Sequence, residues 1–318
     1  MYGSSDGGES VHNTDPKLNA LMKQVGTELH WAEHKVRGGA SQGYQSVPIY
    51  GAGDCEAHRG IDGRYYLLDL ARAFPPESPI STPHLPPCKQ SIFFRMLRPE
   101  LLQIVKNMNL NPLSCDAFSN WGTGDENKVK HCRDVVLATN LLVTRIVPEF
   151  VTVLEHHWAD IGSVKLVQEA HLRGINVRHL GLVRSLLPTD CLVQRNVLLV
   201  ELVSRTLKNL LRGFLRLLQM QRGNQPSPFL SKRMCVVFLN CVTGALTDPG
   251  ARCIPAHAES PDTCSSLPSH SSTGPHPHAL ADSGPASLAV PQKDSGLALG
   301  YFSWQCDVIP AVQERYGN

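Results

Sequence analysis

A dominant charge is the first thing this chain lacks. Its 318 residues carry 30 Lys and Arg against 28 Asp and Glu, a formal net charge of +2. That near balance argues against whole-molecule attraction to nucleic acid or to a membrane surface and leaves only local patches. The ten cysteines are scattered and contain no C-x-x-C pair. This excludes a zinc ribbon or a dithiol redox motif and makes free thiols in a cytosolic protein the simpler reading. Long hydrophobic runs are missing. Residues 197–203 read as the most apolar stretch, but Glu201 interrupts them and they are too short to span a bilayer, so no membrane insertion is expected. The opening MYGSSDGGESVHNTD has neither the apolar core of a signal peptide nor the Arg-rich character of a transit peptide, and a cytoplasmic location is the expectation.

Signatures of chemistry are equally scarce. Neither G-x-x-x-x-G-K-[ST] nor G-x-G-x-x-G occurs, which removes the usual phosphate and dinucleotide cradles. No H-E-x-x-H and no G-x-S-x-G nucleophile elbow is read from the chain. His156 and Asp160 have helical ligand spacing, but two ligands do not make a metal site. His270, His276 and His278, with Cys253 and Cys264, form no standard metal spacing. The expectation is a protein with no catalytic residue, no metal and no cofactor.

What is present concentrates in residues 60–77, GIDGRYYLLDLARAFPPE. Asp62-Gly63 is a strong tight-turn pair. Residues 65–70 read as a strand with two largely apolar faces, hence inside a sheet. Asp69 then becomes a buried acid in need of a partner, with Arg64 and Arg72 the nearest candidates. Pro75-Pro76 ends the element. Val47 to Tyr50 offers a second strand, held to a sheet edge by Pro48.

Helical signals dominate the rest. Asp15-Pro16 starts a helix carrying Leu18, Leu21, Met22, Val25 and Leu29. Arg98-Pro99-Glu100 starts another, to about Asn107. From about Asn127, Val135, Leu137, Leu141, Leu142, Ile146 and Val147 form an apolar stripe that Pro148 should bend or divide. A helix over residues 164–173 ends at Gly174, residues 190–222 carry the longest helical pattern, and residues 234–246 form a last apolar segment. Residues 247–298 then turn to Pro, Ser, Ala, Gly and His, a composition that cannot offset its ordering entropy and is read as a disordered insertion. Order is expected to return in a closing helix over residues 299–318. The fold class is α+β: a small N-terminal β-region, then a mainly helical part.

Several of these segments, in the same order, resemble the Clu (clustered mitochondria) domain. The family writes GTDGRxYLLDLxRxxPP-like text where this chain has residues 60–77. Arg98-Pro99-Glu100-Leu101 is similar to its RPEL. Asn111-Pro112-Leu113 with Asp116-Ala117-Phe118 looks like one of its loops, and GINVRHLG at 174–181 looks like its GIN-x-R-x-LG. Ser204 to Lys208 and Leu211-Arg212 are similar to its R-T-x-K-x-x-L-R helix. The segment near Tyr2 resembles one that lies inside the family domain, so the resemblance implies a Clu domain over residues 1–246 that is incomplete at its N-terminus. It further implies a non-enzymatic cytoplasmic protein that acts in mitochondrial distribution and binds messenger RNA for mitochondrial proteins. Ribosome or translation-initiation components are then expected partners. The alternative is a protein-interaction scaffold with no direct RNA contact. Oligomeric state stays open.

The motif residues Asp62, Gly63, Arg64, Asp69, Arg72, Pro75, Pro76, Gly174, Asn176, Arg178 and Gly181 read as structural, with Asn176 capping a helix and Arg178 paired to an acid. The trio Asn176, Arg178 and His179 could instead orient a phosphate or carboxylate. Arg205, Lys208, Arg212 and Arg216, spaced three, four and four, share a helical face on which acids are missing. They read either as a phosphate-tracking surface for RNA or as a solvated face paired with acids such as Glu201 or Glu149.

Overall fold

The structure, a computed structural model, describes residues 1–222. Within it, Met1–Leu210 belong to one compact unit, and the described residues beyond that are the last turns of the final helix. The segment at 234–246, the expected disordered insertion at 247–298 and the closing helix at 299–318 lie outside the described residues.

The first strands are very short. β1 (Tyr2–Gly3) pairs antiparallel with β2 (His12–Asn13) and with β5 (Glu56–Arg59). β5 turns into β6 (Tyr65–Leu68), giving the sheet order β2-β1-β5-β6. A separate two-stranded ribbon joins β3 (His34–Arg37) to β4 (Ser46–Ile49). Pro48 is tolerated in β4 because each strand of that ribbon has one free edge. The helix α1 (Pro16–Leu29) begins as its sequence dictates. The Asp15 carboxylate accepts from Lys17 N at 2.9 Å and Leu18 N at 3.3 Å, and Pro16 occupies the first turn, where no N–H is needed.

The β6 strand corrects the sequence reading. It stops at Leu68 and has β5 on one side only, so it is a sheet edge rather than an interior strand. One face is half-buried through Tyr65 and Leu67. The other leaves Tyr66 45% and Leu68 52% exposed. Two apolar faces in a strand sequence do not require two covered faces, because folded proteins leave much apolar surface in water.

Residues 69–98 carry little regular structure, as their prolines foretell. A bridge between Pro76 and Met96 folds the loop back on itself. Glu77 N donates to Arg95 O at 2.7 Å and Leu97 N to Pro75 O at 2.8 Å. α2 (Pro99–Asn107) follows and buries Leu101, Leu102 and Val105.

The main helical body comprises α3 (Lys128–Leu141), a π-turn (Leu142–Ile146) and α4 (Val147–His156). Pro148 does not divide it: the wider π-turn precedes the proline and the helix runs on. This continuous segment, Lys128–His156, is long and apolar enough to cross a membrane by length and composition, which corrects the expectation that no such stretch exists. Here Val135, Leu142, Val147, Phe150 and Leu154 are buried in the protein core instead, while Leu137 lies off the stripe and is exposed. α5 (Trp158–Leu172) is interrupted at Gly162, with φ 57° and ψ −174°, close to where the sequence places its start. α6 (Leu180–Leu186) and α7 (Leu192–Arg222) complete the described fold. The buried stripe of α7 is Leu198, Leu202 and Thr206, four apart, whereas Val203, Leu207, Leu210 and Leu211 are half-buried. The α+β architecture matches the sequence expectation.

Candidate functional site

Two buried polar clusters collect the motif residues. The first is built around Asp116, wholly removed from solvent in the loop after α2. Its Oδ2 accepts from His34 Nε2 at 3.0 Å and from Gly53 N at 2.8 Å. Its Oδ1 accepts from Ser119 Oγ at 2.9 Å and Arg72 Nη1 at 3.2 Å. Arg72 also grips Asp54 with two donors, Nε at 2.7 Å and Nη2 at 2.8 Å. The fixed fork of a guanidinium suits that bidentate grip. The ring of Phe93 lies 5.3 Å from the Arg72 guanidinium carbon.

Protonation in this hub follows from the partners. The two ring nitrogens of His34 face the Ala32 carbonyl, at 3.2 Å, and the Asp116 carboxylate. Both partners can only accept, so the ring is an imidazolium. Burial opposes that charge, but the hydrogen bond and charge of Asp116 outweigh it and raise the His34 pKa. Burial likewise opposes ionisation of Asp116, and His34, Arg72 and the Gly53 N–H hold its carboxyl below the usual range. Two anions thus balance two cations inside the protein.

The second cluster joins sequence-distant motifs. Glu77, at the end of the 60–77 segment, is buried, and its Oε1 accepts from both Arg178 and His179, the latter at 2.9 Å. Arg178 also donates to Met96 O at 3.2 Å. His179 Nδ1 meets His84 Nε2 at 2.9 Å. Burial works against the Glu77 charge, yet His179 and Arg178 keep its pKa lowered. Burial first, and the neighbouring His179 second, push His84 down to about 4. Gly174 permits the close packing beside this cluster: its φ is +76°, and a Cβ there would lie 2.8 Å from the Leu101 backbone.

Most motif residues take structural roles. Gly63 (φ +79°) and the Gly60 N to Arg64 O bond of 2.8 Å close the β5–β6 hairpin. Asp62 braces this turn by accepting from Arg64 N at 3.1 Å and Tyr66 Oη at 2.6 Å. Pro75 and Pro76 are buried beside Glu77, Asn176 caps the short turn Val177–His179 through Arg178 N, and Gly181 is buried in α6. Asp69 is the correction. It is exposed, has a left-handed backbone (φ 51°), and takes part in no ion pair with Arg64 or Arg72. Arg64 leans on Asp62 at 3.9 Å, and Arg72 is taken by Asp54 and Asp116.

On α7, Lys208, Arg212 and Arg216 are exposed, and Arg205 is half-exposed. The stripe is not wholly free of acids: Arg205 pairs with Glu201 one turn earlier. A second sequence statement also needs correcting. The letters G-x-S-x-G do occur, at Gly39-Ala40-Ser41-Gln42-Gly43. They lie in the turn linking β3 to β4, not between a strand and a helix, so the backbone is no nucleophile elbow. His157 and Asp160 approach at 3.9 Å, and no group of three or more metal-ligating residues occurs among the described residues. Asp54, His34 and His84 escaped sequence reasoning, since none stands in a recognisable motif. Asp116 had a signal, its place in the Asp116-Ala117-Phe118 segment.

Comparison with known proteins meets this geometry at two places. The family model described as Clustered mitochondria matches residues 1–79. The one described as Translation initiation factor eIF3 subunit 135 matches residues 158–283. The ion pair of Glu77 with Arg178 therefore ties one matched stretch to the other. The Clustered mitochondria protein homolog of Malassezia globosa is 25% identical, covering 78% of this chain and 23% of the relative. The homolog of Schizosaccharomyces pombe is 23% identical over 68% of this chain and 24% of its own length. Protein clueless of Drosophila willistoni is 36% identical over 77 residues, which is 24% of this chain and 5% of the relative. The chain thus spans about a quarter or less of the length of these curated relatives. No solved structure matches it.

Proposed function

The chain belongs to the Clu (clustered mitochondria) family, and from that premise we propose that it is a non-catalytic cytoplasmic protein of mitochondrial organisation that binds messenger RNA for mitochondrial proteins. The names of its relatives, Clustered mitochondria protein homolog and Protein clueless, support the organelle role. The match of residues 158–283 to a translation initiation factor subunit supports a partner in the translation machinery. The observation that carries RNA contact is α7 itself. It lies within that matched stretch and presents Lys208, Arg212 and Arg216 to solvent with no ion pair to a described residue. Cations so spaced can follow phosphates, with a salt-dependent affinity.

Substituting Arg205, Lys208, Arg212 and Arg216 together by Glu tests this. Crosslinking to RNA is expected to fall about tenfold or more at unchanged fold, and the slope of log affinity against log salt is expected to flatten. Undiminished crosslinking removes α7 from the RNA surface. The second reading is a scaffold for translation-initiation components with no RNA contact, which the Arg205–Glu201 pair favours by neutralising one cation of the stripe. Partner capture that survives nuclease treatment supports that reading.

A further inference from the structure

The segment between Glu77 and Glu100 contains no acid, yet it holds His84, Lys89, Arg95 and Arg98. Arg98 is engaged by Glu100 at 2.9 Å. Lys89 is exposed and Arg95 half-exposed, and neither forms an ion pair with a described residue. One Arg95 N–H donates to Pro86 O at 2.8 Å, which fixes the guanidinium and leaves its other N–H groups available. Burial lowers its pKa, the charge of Glu77 partly offsets this, and nearby Arg178 adds to the lowering.

Two aromatic residues consecutive in sequence stand in the same segment, at the end of the turn Lys89–Phe93. Phe93 is 44% and Phe94 57% exposed. Each has an arginine against it: the Arg72 guanidinium carbon is 5.3 Å from the Phe93 centroid and that of Arg95 is 5.9 Å from the Phe94 centroid. Arg72 is held in the buried hub, so Phe93 is packed against a rigid support. Covering these exposed rings with a flat partner removes their apolar surface from water. Arg72 is already neutralised by Asp54 and Asp116, but Lys89 and Arg95 of the same segment form no ion pair with a described residue and favour a partner that is both planar and anionic.

We propose that residues 89–95 form a stacking platform for single-stranded RNA, with unpaired bases on Phe93 and Phe94 and phosphates on Lys89 and Arg95. The platform rests on the RNA-binding reading and adds an interaction with a different physical signature. Stacking on an aromatic face tolerates any base and needs the bases unstacked, which favours single strands over duplex. Phosphate contacts carry the salt dependence, whereas ring contacts do not.

The full chain is titrated with fluorescein-labelled oligouridylate at several salt concentrations, with the duplex form and polyglutamate as competitors. The double variant Phe93→Leu, Phe94→Leu keeps apolar bulk and removes the rings. It is expected to weaken binding roughly tenfold or more with the salt slope unchanged. The variant Lys89→Glu, Arg95→Glu is expected to reduce the slope by about one for each phosphate no longer neutralised. Phe94→Leu alone serves if the double variant unfolds, and its expected loss is roughly fivefold or more. Wild-type affinity in the leucine variants overturns the platform while leaving RNA binding intact. Equal competition by duplex RNA or by polyglutamate also overturns it. A wild-type chain that binds no oligouridylate sinks the platform and the RNA reading together, whereas loss confined to the α7 variant sinks the platform alone.

Discussion

The two ends of the 60–77 segment are physical opposites. Its tip, from Gly60 to Leu70, is an exposed hairpin and edge strand whose polar groups serve the backbone: Gly63 supplies the left-handed angle and Asp62 braces the turn. Its tail, from Arg72 to Glu77, is buried and carries charges that reach far along the chain. Arg72 binds Asp54 and Asp116, and Glu77 binds Arg178 and His179. The same run of sequence therefore holds one part that specifies local shape and another that ties the β-region to the helical body. Removing an acid met by the tail is expected to cost far more than removing the exposed Asp69 charge at the tip, because a charge left alone in the interior costs far more than one left alone in water.

The largest effect is expected at Asp116. Asp116→Asn removes the negative charge while keeping the volume, leaving the His34 imidazolium and part of the Arg72 charge uncompensated. Breaking a buried pair in this way costs about 3–5 kcal/mol, and the retained Asp54 partner places the expectation at the lower end. The check is the urea midpoint at constant m-value, which separates stability from a change in the states compared. A loss below about 1 kcal/mol, the value of a surface pair, abolishes the contrast between tail and tip.

His84 sharpens the contrast through pH. Its folded pKa of about 4 lies below the unfolded value of 6.5. Between those values the unfolded chain binds a proton that the folded chain refuses. Stability from this group is thus fully present above 6.5 and is lost as pH falls towards 4. Burial of a neutral imidazole beside His179 is the cause. His84→Gln keeps a hydrogen-bonding group and abolishes the titration. Between pH 7 and pH 5 the wild type is expected to lose about 1–2 kcal/mol more than the variant. Parallel pH profiles of chemical unfolding for the two proteins decide it.

Local chemistry made much of this legible in advance. Asp15-Pro16 and Arg98-Pro99 start helices where their backbone preferences require, and Gly63 and Gly174 take the left-handed angles expected of a turn and a helix end. Asn176 caps its turn and Arg178 finds an acid. What escaped was long-range. Tyr66 and Leu68 look like core residues, but only the number of strands beside them decides burial. Arg72 has Asp69 three positions away and instead takes Asp54 and Asp116, because the left-handed backbone at Asp69 accompanies an exposed position. On α7 the spacing of the cations was plain, whereas the pairing of Arg205 with Glu201 had to be seen.

The smallest expected effect completes the comparison with the same substitution at the other end. Asp69 opens the short turn Leu70–Arg72 with φ 51° and ψ 63°, and its carboxylate makes no capping hydrogen bond. Its side chain is exposed, so nothing buried depends on its charge. Asparagine accepts the left-handed region as readily as aspartate. Asp69→Asn is therefore expected to change stability by no more than about 0.5 kcal/mol. Asp69→Val, whose branched side chain resists that backbone, is expected to cost about 1–3 kcal/mol. Urea unfolding of both variants separates the two roles. A neutral Asn with a costly Val assigns Asp69 to the backbone alone. An Asn variant that loses more than about 1 kcal/mol restores a charge-dependent role at the tip and removes the distinction between the two ends of the segment.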